Sequence, residues 1–442
     1  MPYSVFPTGT TIYYPDKAFN CFVLYDGRDG RSFLIDMGGN LVHNWPYTGF
    51  PVEMIDPAIN RSRRGHVICQ KEPEIFSNET LLIVDWDANI VWEWGKTAPG
   101  GSAKQNHDIA PLPNGNMLVL CKLISTMPQL SSAPIGDQVI YEVNRNGEVV
   151  WQWISSEHIE TLGFTGEKKR LLFSKKMRNR SSIFVINNMA PLGPNKWFNR
   201  GDRRFHPDNI MIDSREGSFI AIIEKKTGQI VWQMGPEYPG SYDQSKKQFT
   251  GKLPRPVDAI CGQHDAHLIP QSLPGAGNLL VFDNQGAAGF PPIYLNLFQG
   301  SRVLEIDPIT EEIVWQYDAS CSGRPFWTFF SSFISSARRL PNGNTLICEG
   351  MNGRLFQVTS EGEIVWEYVN PYFGQWTDHD VESGGSLSNW VFRAQPVPYD
   401  WVPEDTPRLE RPVIPPEASE FRIAKERGMR SDICDNDDSC KT

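Results

Sequence analysis

The chain reads as an all-β protein, a six-bladed β-propeller of four-stranded blades, and three observations lead there. Six segments (41–45, 90–94, 149–153, 230–234, 313–317 and 364–368) share one pattern: a polar or glycine turn, an apolar pair, then an aromatic position, as in Ile90-Val91-Trp92-Glu93-Trp94. One turn phrase recurs three times, around Pro113-Asn114-Gly115, Pro270 to Asn278 and Pro341-Asn342-Gly343, each followed by a short apolar run. Helical periodicity is almost absent outside 155–180. Alternation with period two is what a half-buried strand requires. Short strands recurring as four-strand units point to radial closure, which protects sheet edges.

Taken in order, the first unit supplies only three strands (21–25, 32–36 and 41–45), so it lacks its innermost one. The alternating stretch 389–394 is expected to fill that place, pairing the two chain ends in one blade and locking the ring. Long insertions precede Trp232 and Trp315. The first carries Lys168, Lys169, Arg170, Lys175, Lys176, Arg178 and Arg180, read as a solvated segment or, alternatively, as a lid over an anionic substrate. Residues 1–410 are expected to form a single propeller domain and 411–442 a polar tail on the surface.

Lys plus Arg number 42 against 52 Asp plus Glu, a net charge of -10 that disfavours nucleic acid as a partner. The 8 cysteines include no CxxC pair; Cys69, Cys121 and Cys348 sit in apolar strands as inert thiols, and only Cys434 and Cys440 in the tail look able to pair. No basic region followed by an apolar run opens the chain, and no stretch is long enough to span a bilayer, so a soluble protein is expected. That implies the cytoplasm if Met1 is the native start, the periplasm or exterior if the chain is a mature fragment. Nothing in the sequence specifies an oligomeric state.

In a propeller the innermost strands line a channel whose mouth is a funnel. His107 and His264 stand at the same distance ahead of their turn prolines, Pro113 and Pro270, so both should begin innermost strands and project toward one funnel. Asp108 and Asp265 beside them suit capping of the turn, or orientation of an imidazole. His267 falls on the channel side or one residue off it. His206 precedes a proline turn and reads as a loop anchor, His43 takes a Trp position of its repeat, and His379 lies in a loop without assignment. No cluster at local metal spacing, phosphate loop, Rossmann fingerprint or G-x-S-x-G is present, so no metal or cofactor is expected, although ligands gathered around the channel stay open.

In sequence order the chain carries Thr8-Gly9-Thr10-Thr11-Ile12-Tyr13, Asn106-His107-Asp108-Ile109, Arg204-Phe205-His206-Pro207-Asp208-Asn209, Gln263-His264-Asp265-Ala266, Phe282-Asp283-Asn284 and Val391-Phe392-Arg393-Ala394. This succession resembles the bacterial arylsulfotransferases and their relatives over nearly the whole chain. The resemblance implies a six-bladed propeller that moves a sulfuryl group from an aryl sulfate to a phenolic acceptor, through a sulfated histidine and without a nucleotide donor. It implies His264 as the nucleophile, His107 as the proton-handling histidine, Arg215 as the sulfate-binding arginine and Asn187 as its partner. At one position the chain departs from the family: Val185 stands where a further histidine is usual. Two other readings stay open, a propeller enzyme acting on another small aromatic or anionic substrate, and a non-catalytic binding or scaffold propeller.

Overall fold

The computed structural model describes residues 7–415 apart from 60, 62, 73–77, 128–133, 174–181, 236–241, 244–247, 250–259, 287–299 and 375–386. Six antiparallel sheets are arranged as the blades of a propeller. The innermost strands, from blade 1 to blade 6, are Ala394–Val397, Thr48–Met54, Gln105–Pro111, Ile186–Pro191, His264–Leu268 and Ser336–Arg339. A small hairpin, Tyr242–Asp243 against Gln248–Phe249, lies in one of the long insertions.

The recurrent tryptophans explain why the units repeat. A fourth strand is half exposed, as Leu41–Trp45 and Ile90–Trp94 are, yet its aromatic side chain packs at the next blade and its indole N–H needs an acceptor there. Trp45 donates to the Asp85 carbonyl, Trp94 to Gly147, Trp153 to Gly228, Trp232 to Pro308, Trp315 to Ser360 and Trp366 to Met37. Each acceptor belongs to the following blade, and the last link returns to the first. Hydrophobic layers fill the spaces between successive blades, such as Leu120, Ile140, Ile186 and Ile212 between blades 3 and 4.

The chain ends meet twice. Ala394–Val397 pairs with Phe22–Asp26, so the C-terminal segment supplies the missing inner strand of blade 1, but the pairing begins where the expected 389–394 stretch ends. The residues just before it are drawn elsewhere: Val391 N–H bonds the Gly350 carbonyl, and the N–H groups of Phe392 and Arg393 donate to the Asp26 carboxylate. These residues are buried through contacts other than a sheet ladder. In addition Gly9–Tyr13 pairs with Ile364–Val369, giving blade 6 a fifth, outermost strand. Beyond the ring, Leu409 N–H reaches the Asp36 carboxylate and Val413 bridges Tyr13.

Lys168, Lys169 and Arg170 sit on a short helix, Gly166–Leu172, where Lys169 pairs with Glu160 at 2.6 Å. The remaining basic residues of that run, His379, Cys434 and Cys440 lie outside the described residues. Cys69, Cys121 and Cys348 are buried. Among the described residues no helix is long and apolar enough to cross a membrane.

Candidate active site

The strand registers put three of the candidate residues, His107, Asn187 and His264, at one phase of successive inner strands. In blades 3, 4, 5 and 6 the second residue of the second strand (Leu118, Met211, Leu280, Leu346) faces Ala110, Ala190, His267 and Arg338 of the innermost strand. Three residues earlier in each innermost segment stand His107, Asn187, His264 and Ser335. The register slips just there in blades 3, 4 and 5, between Val119 and Cys121, Ile186 and Asn188, and His264 and His267. Such bulges re-aim a side chain away from the ladder. His107 itself has φ 68° and Asp265 φ 60°, left-handed conformations that these residue types tolerate better than most.

Carboxylates tie these inner strands together. Asp108 accepts N–H bonds from Ile109 (2.9 Å) and, in the next blade, Met189 (2.8 Å). Asp213 accepts from Ala266 at 2.9 Å, and Asp265 from Ala337 at 3.1 Å, so blades 3 to 6 are clasped in sequence. Both aspartates thus take backbone N–H groups of the next blade, in place of the capping of their own turns that the sequence suggested. Inside the ring Arg393 pairs with Asp108 at 2.7 Å and lies 3.4 Å from Asp265, which also takes Arg338 at 2.7 Å. Glu53, facing the same charges, is pushed up to about 7 by burial, a loss only partly offset by the two guanidinium groups.

His264 is buried. Its Nδ1 lies 3.0 Å from the Gly262 carbonyl and 2.7 Å from Asn284 Oδ1, and its Nε2 accepts the Ile334 N–H at 3.1 Å. Burial, then the charge of Arg215, pushes its pKa down to about 3, so the imidazole is neutral at any ordinary pH. His107 is also pushed well down, by burial first and then by His264, Lys122, Arg215 and Arg393. Each of these groups is thus within electrostatic reach of the His107 ring. Arg215 follows the second strand of blade 4, where its N–H donates to the Val185 carbonyl at 3.0 Å. Asn187 Nδ2 donates to the Gln263 carbonyl at 3.2 Å, while its buried Oδ1 has no hydrogen-bond partner among the described residues.

Aromatic rings adjoin His107. The Phe50 ring lies 5.1 Å from His107 and 3.9 Å from Phe392, with Ile334 in the same small cluster. Val185 has 6% exposure, yet it joins none of the hydrophobic clusters that take its neighbours Ile183, Phe184 and Ile186. Its φ of 46° is a left-handed value that a β-branched residue rarely adopts.

His43, His206 and His267 each make a local contact. His43 stacks on Trp86 at 4.0 Å and bonds its carbonyl, His206 caps a turn through Asp208 N–H, and buried His267 bonds the Asp265 carbonyl at 2.7 Å. Asn284, Arg393 and Phe50 carry geometry that sequence reasoning did not assign. Asn284 and Arg393 stood inside quoted phrases without any signal of their role, and Phe50 lies in a strand whose bulge hides its phase. Among the described residues no group of His, Cys, Asp and Glu is arranged to hold a metal ion.

Among solved structures the chain is similar to a protein of unknown function from Bacteroides caccae (15% identity, TM-score 0.47, covering 86% of this chain and 99% of that one). It is also similar to a streptogramin B lyase (14%, TM-score 0.33, 70% and 66%) and to a virginiamycin B lyase from Staphylococcus aureus (11%, TM-score 0.37, 80% and 88%). These likenesses carry nothing about chemistry. No curated protein matches the chain. The family model for arylsulfotransferase (ASST) matches residues 21–371, most of the chain. The chain belongs to the arylsulfotransferase family, and the family supports a function of that type.

Proposed function

We propose that the protein transfers a sulfuryl group from an aryl sulfate to a phenol in two ping-pong steps through a sulfated His264. The observation that carries this reading is the placing of His107, Asn187 and His264 at one phase of three successive inner strands, with the Arg215 charge acting on both imidazoles. In the first step a lone pair of the neutral His264 ring attacks sulfur, the N–S bond forms and the S–O bond to the aryl group breaks. The departing oxygen leaves as phenoxide, since burial and the surrounding cations keep His107 neutral at this step. In the second step neutral His107 accepts the proton of the incoming phenol, whose oxygen attacks the N-sulfo sulfur and frees His264. Nothing is consumed besides donor and acceptor, so no nucleotide or metal is required by the balance.

Arg215 opposes the charge on the transferred group, because a guanidinium matches the planar array of sulfonate oxygens. Asn187 has one Nδ2 proton on the Gln263 carbonyl, which leaves its second Nδ2 proton as a donor for a sulfonate oxygen. Phe50 and Phe392 offer an apolar wall for an aryl ring beside His107. The test is incubation with a chromogenic aryl sulfate with and without a phenol. Phenol release that rises with acceptor, and acceptor that gains the sulfuryl group, supports the reading. Release insensitive to acceptor points to hydrolysis, and no release favours a different substrate in the same site.

A further inference from the structure

We propose that Asn284 is a positioning residue of this site: it holds the His264 imidazole with its proton on Nδ1, leaving Nε2 as the nitrogen that bears the lone pair. Attack by that nitrogen rests on the sulfotransfer reading above; the tautomer does not.

Three hydrogen bonds at the ring agree on the tautomer, and two of them have only one possible direction. A backbone carbonyl can only accept, so the Gly262 oxygen 3.0 Å from Nδ1 requires a proton there. A backbone N–H can only donate, so the Ile334 N–H 3.1 Å from Nε2 requires that nitrogen to be bare. Asn284 fixes its own orientation in the same way. Its Nδ2 donates to the carbonyls of Ser331 (2.7 Å) and Ile334 (2.8 Å), both pure acceptors, so Oδ1 must be the atom facing His264 Nδ1 at 2.7 Å. The side chain is fully buried, and its hydrogen bonds to these three groups satisfy both its donors and its acceptor.

One residue thereby sets the surroundings of both ring nitrogens. It accepts from Nδ1 directly, and through its two donors it carries the 331–334 segment that presents the Ile334 N–H to Nε2. That N–H occupies the axis along which Nε2 would meet a substrate, so binding must exchange one neutral hydrogen bond for the contact with sulfur. Ile334 and the following Ser335 are held at φ 55° and 99°. Such conformations persist where the surroundings over-determine them, and here Asn284 and His264 do so. The choice of amide over carboxylate also has a reason. An aspartate at 284 would set an oxygen against two carbonyls and make His264 more basic, against the cations Arg215 and Arg393 that face it.

The test uses the full chain labelled with ¹⁵N-histidine at neutral pH, without substrate. The His264 signals are those missing from His264→Gln. A protonated Nδ1 with a bare Nε2 is expected; a protonated Nε2, or rapid averaging between the two, overturns the proposal. In Asn284→Ala the signals should move toward averaging or Nε2–H, whereas an unchanged Nδ1–H form would show that the Gly262 carbonyl alone suffices. Asn284→Asp, which conserves size, should shift the His264 titration midpoint upward, and an unmoved midpoint counts against the contact. For covalent labelling by an aryl sulfate, Asn284→Ala should be slower by about 10-fold or more at unchanged donor affinity, the scale on which outer-shell partners act. If wild type shows the expected tautomer but is never labelled, sulfotransfer fails and the positioning role stands. If His264 is labelled but its proton sits on Nε2, the reverse holds.

Discussion

Val185→His places a donor at the position where the family resemblance implies a histidine. Three structural facts set the magnitude. The side chain is buried at 6% exposure, it lies outside the hydrophobic clusters, and its backbone is held at φ 46° with its carbonyl on Arg215 N–H. A left-handed β-branched residue stores about 1 to 3 kcal/mol, and histidine is among the residue types that adopt that conformation more readily. Placing an imidazole without a partner costs about 1 to 3 kcal/mol, so the two terms roughly cancel and the fold should hold. One donor to developing charge is worth about 3 to 4 kcal/mol, so transfer to a reporter phenol should rise by about 10²- to 10³-fold. The assay is initial rate with a chromogenic aryl sulfate, alongside a thermal melt. A variant that melts well below wild type with no gain in rate would show Val185 to be core. A stable variant with an unchanged rate would show that no sulfonate oxygen comes near this position.

His107→Asn should slow transfer most for acceptors of high phenol pKa and little for acidic ones, since a general base matters where the proton is tightly held; a uniform loss across a phenol series contradicts that role. Because burial and Arg215 hold His264 down to about 3, donor-dependent labelling should lack the acid limb near pH 6.5 that an ordinary histidine shows and stay flat to about pH 5. The same depression is a stability statement. The folded state favours neutral His264, so this contribution is complete above the unfolded value near 6.5 and is lost as pH falls toward about 3. Melts from pH 7 to about 4 should therefore fall less steeply in His264→Gln, and parallel curves would argue against it. Trp366→Phe removes the indole link that returns the ring to blade 1 and should cost about 1 to 3 kcal/mol in urea unfolding; no loss would mean that packing alone closes the ring.

The blades were legible because each fourth strand solves one problem in one way: an aromatic covers the seam and finds an acceptor in the next blade. The equal phase of His107 and His264 was legible for the same reason, since both are measured from a turn that repeats. Arg215, Asn187 and the departure at Val185 were reached only by family resemblance, because an arginine after a strand or an amide in one has no periodic mark. The strand Gly9–Tyr13 was missed as a fifth edge because a five-residue alternation cannot say which sheet it joins. The closing strand was read some residues early because Val391, Phe392 and Arg393 are buried for another purpose, bonding Gly350, Asp26 and Asp108. Asn284 was invisible because its role depends on carbonyls of residues 331 and 334, about fifty residues away in the chain.

The central claim is a covalent intermediate on His264. Mixing the protein with an aryl sulfate in the absence of acceptor, quenching in base and mapping the peptides measures it directly. The expected result is one sulfuryl group on the peptide containing His264, discharged on adding a phenol and absent from His264→Gln. Transfer to phenol without any labelled peptide, or labelling that persists in His264→Gln, would contradict it.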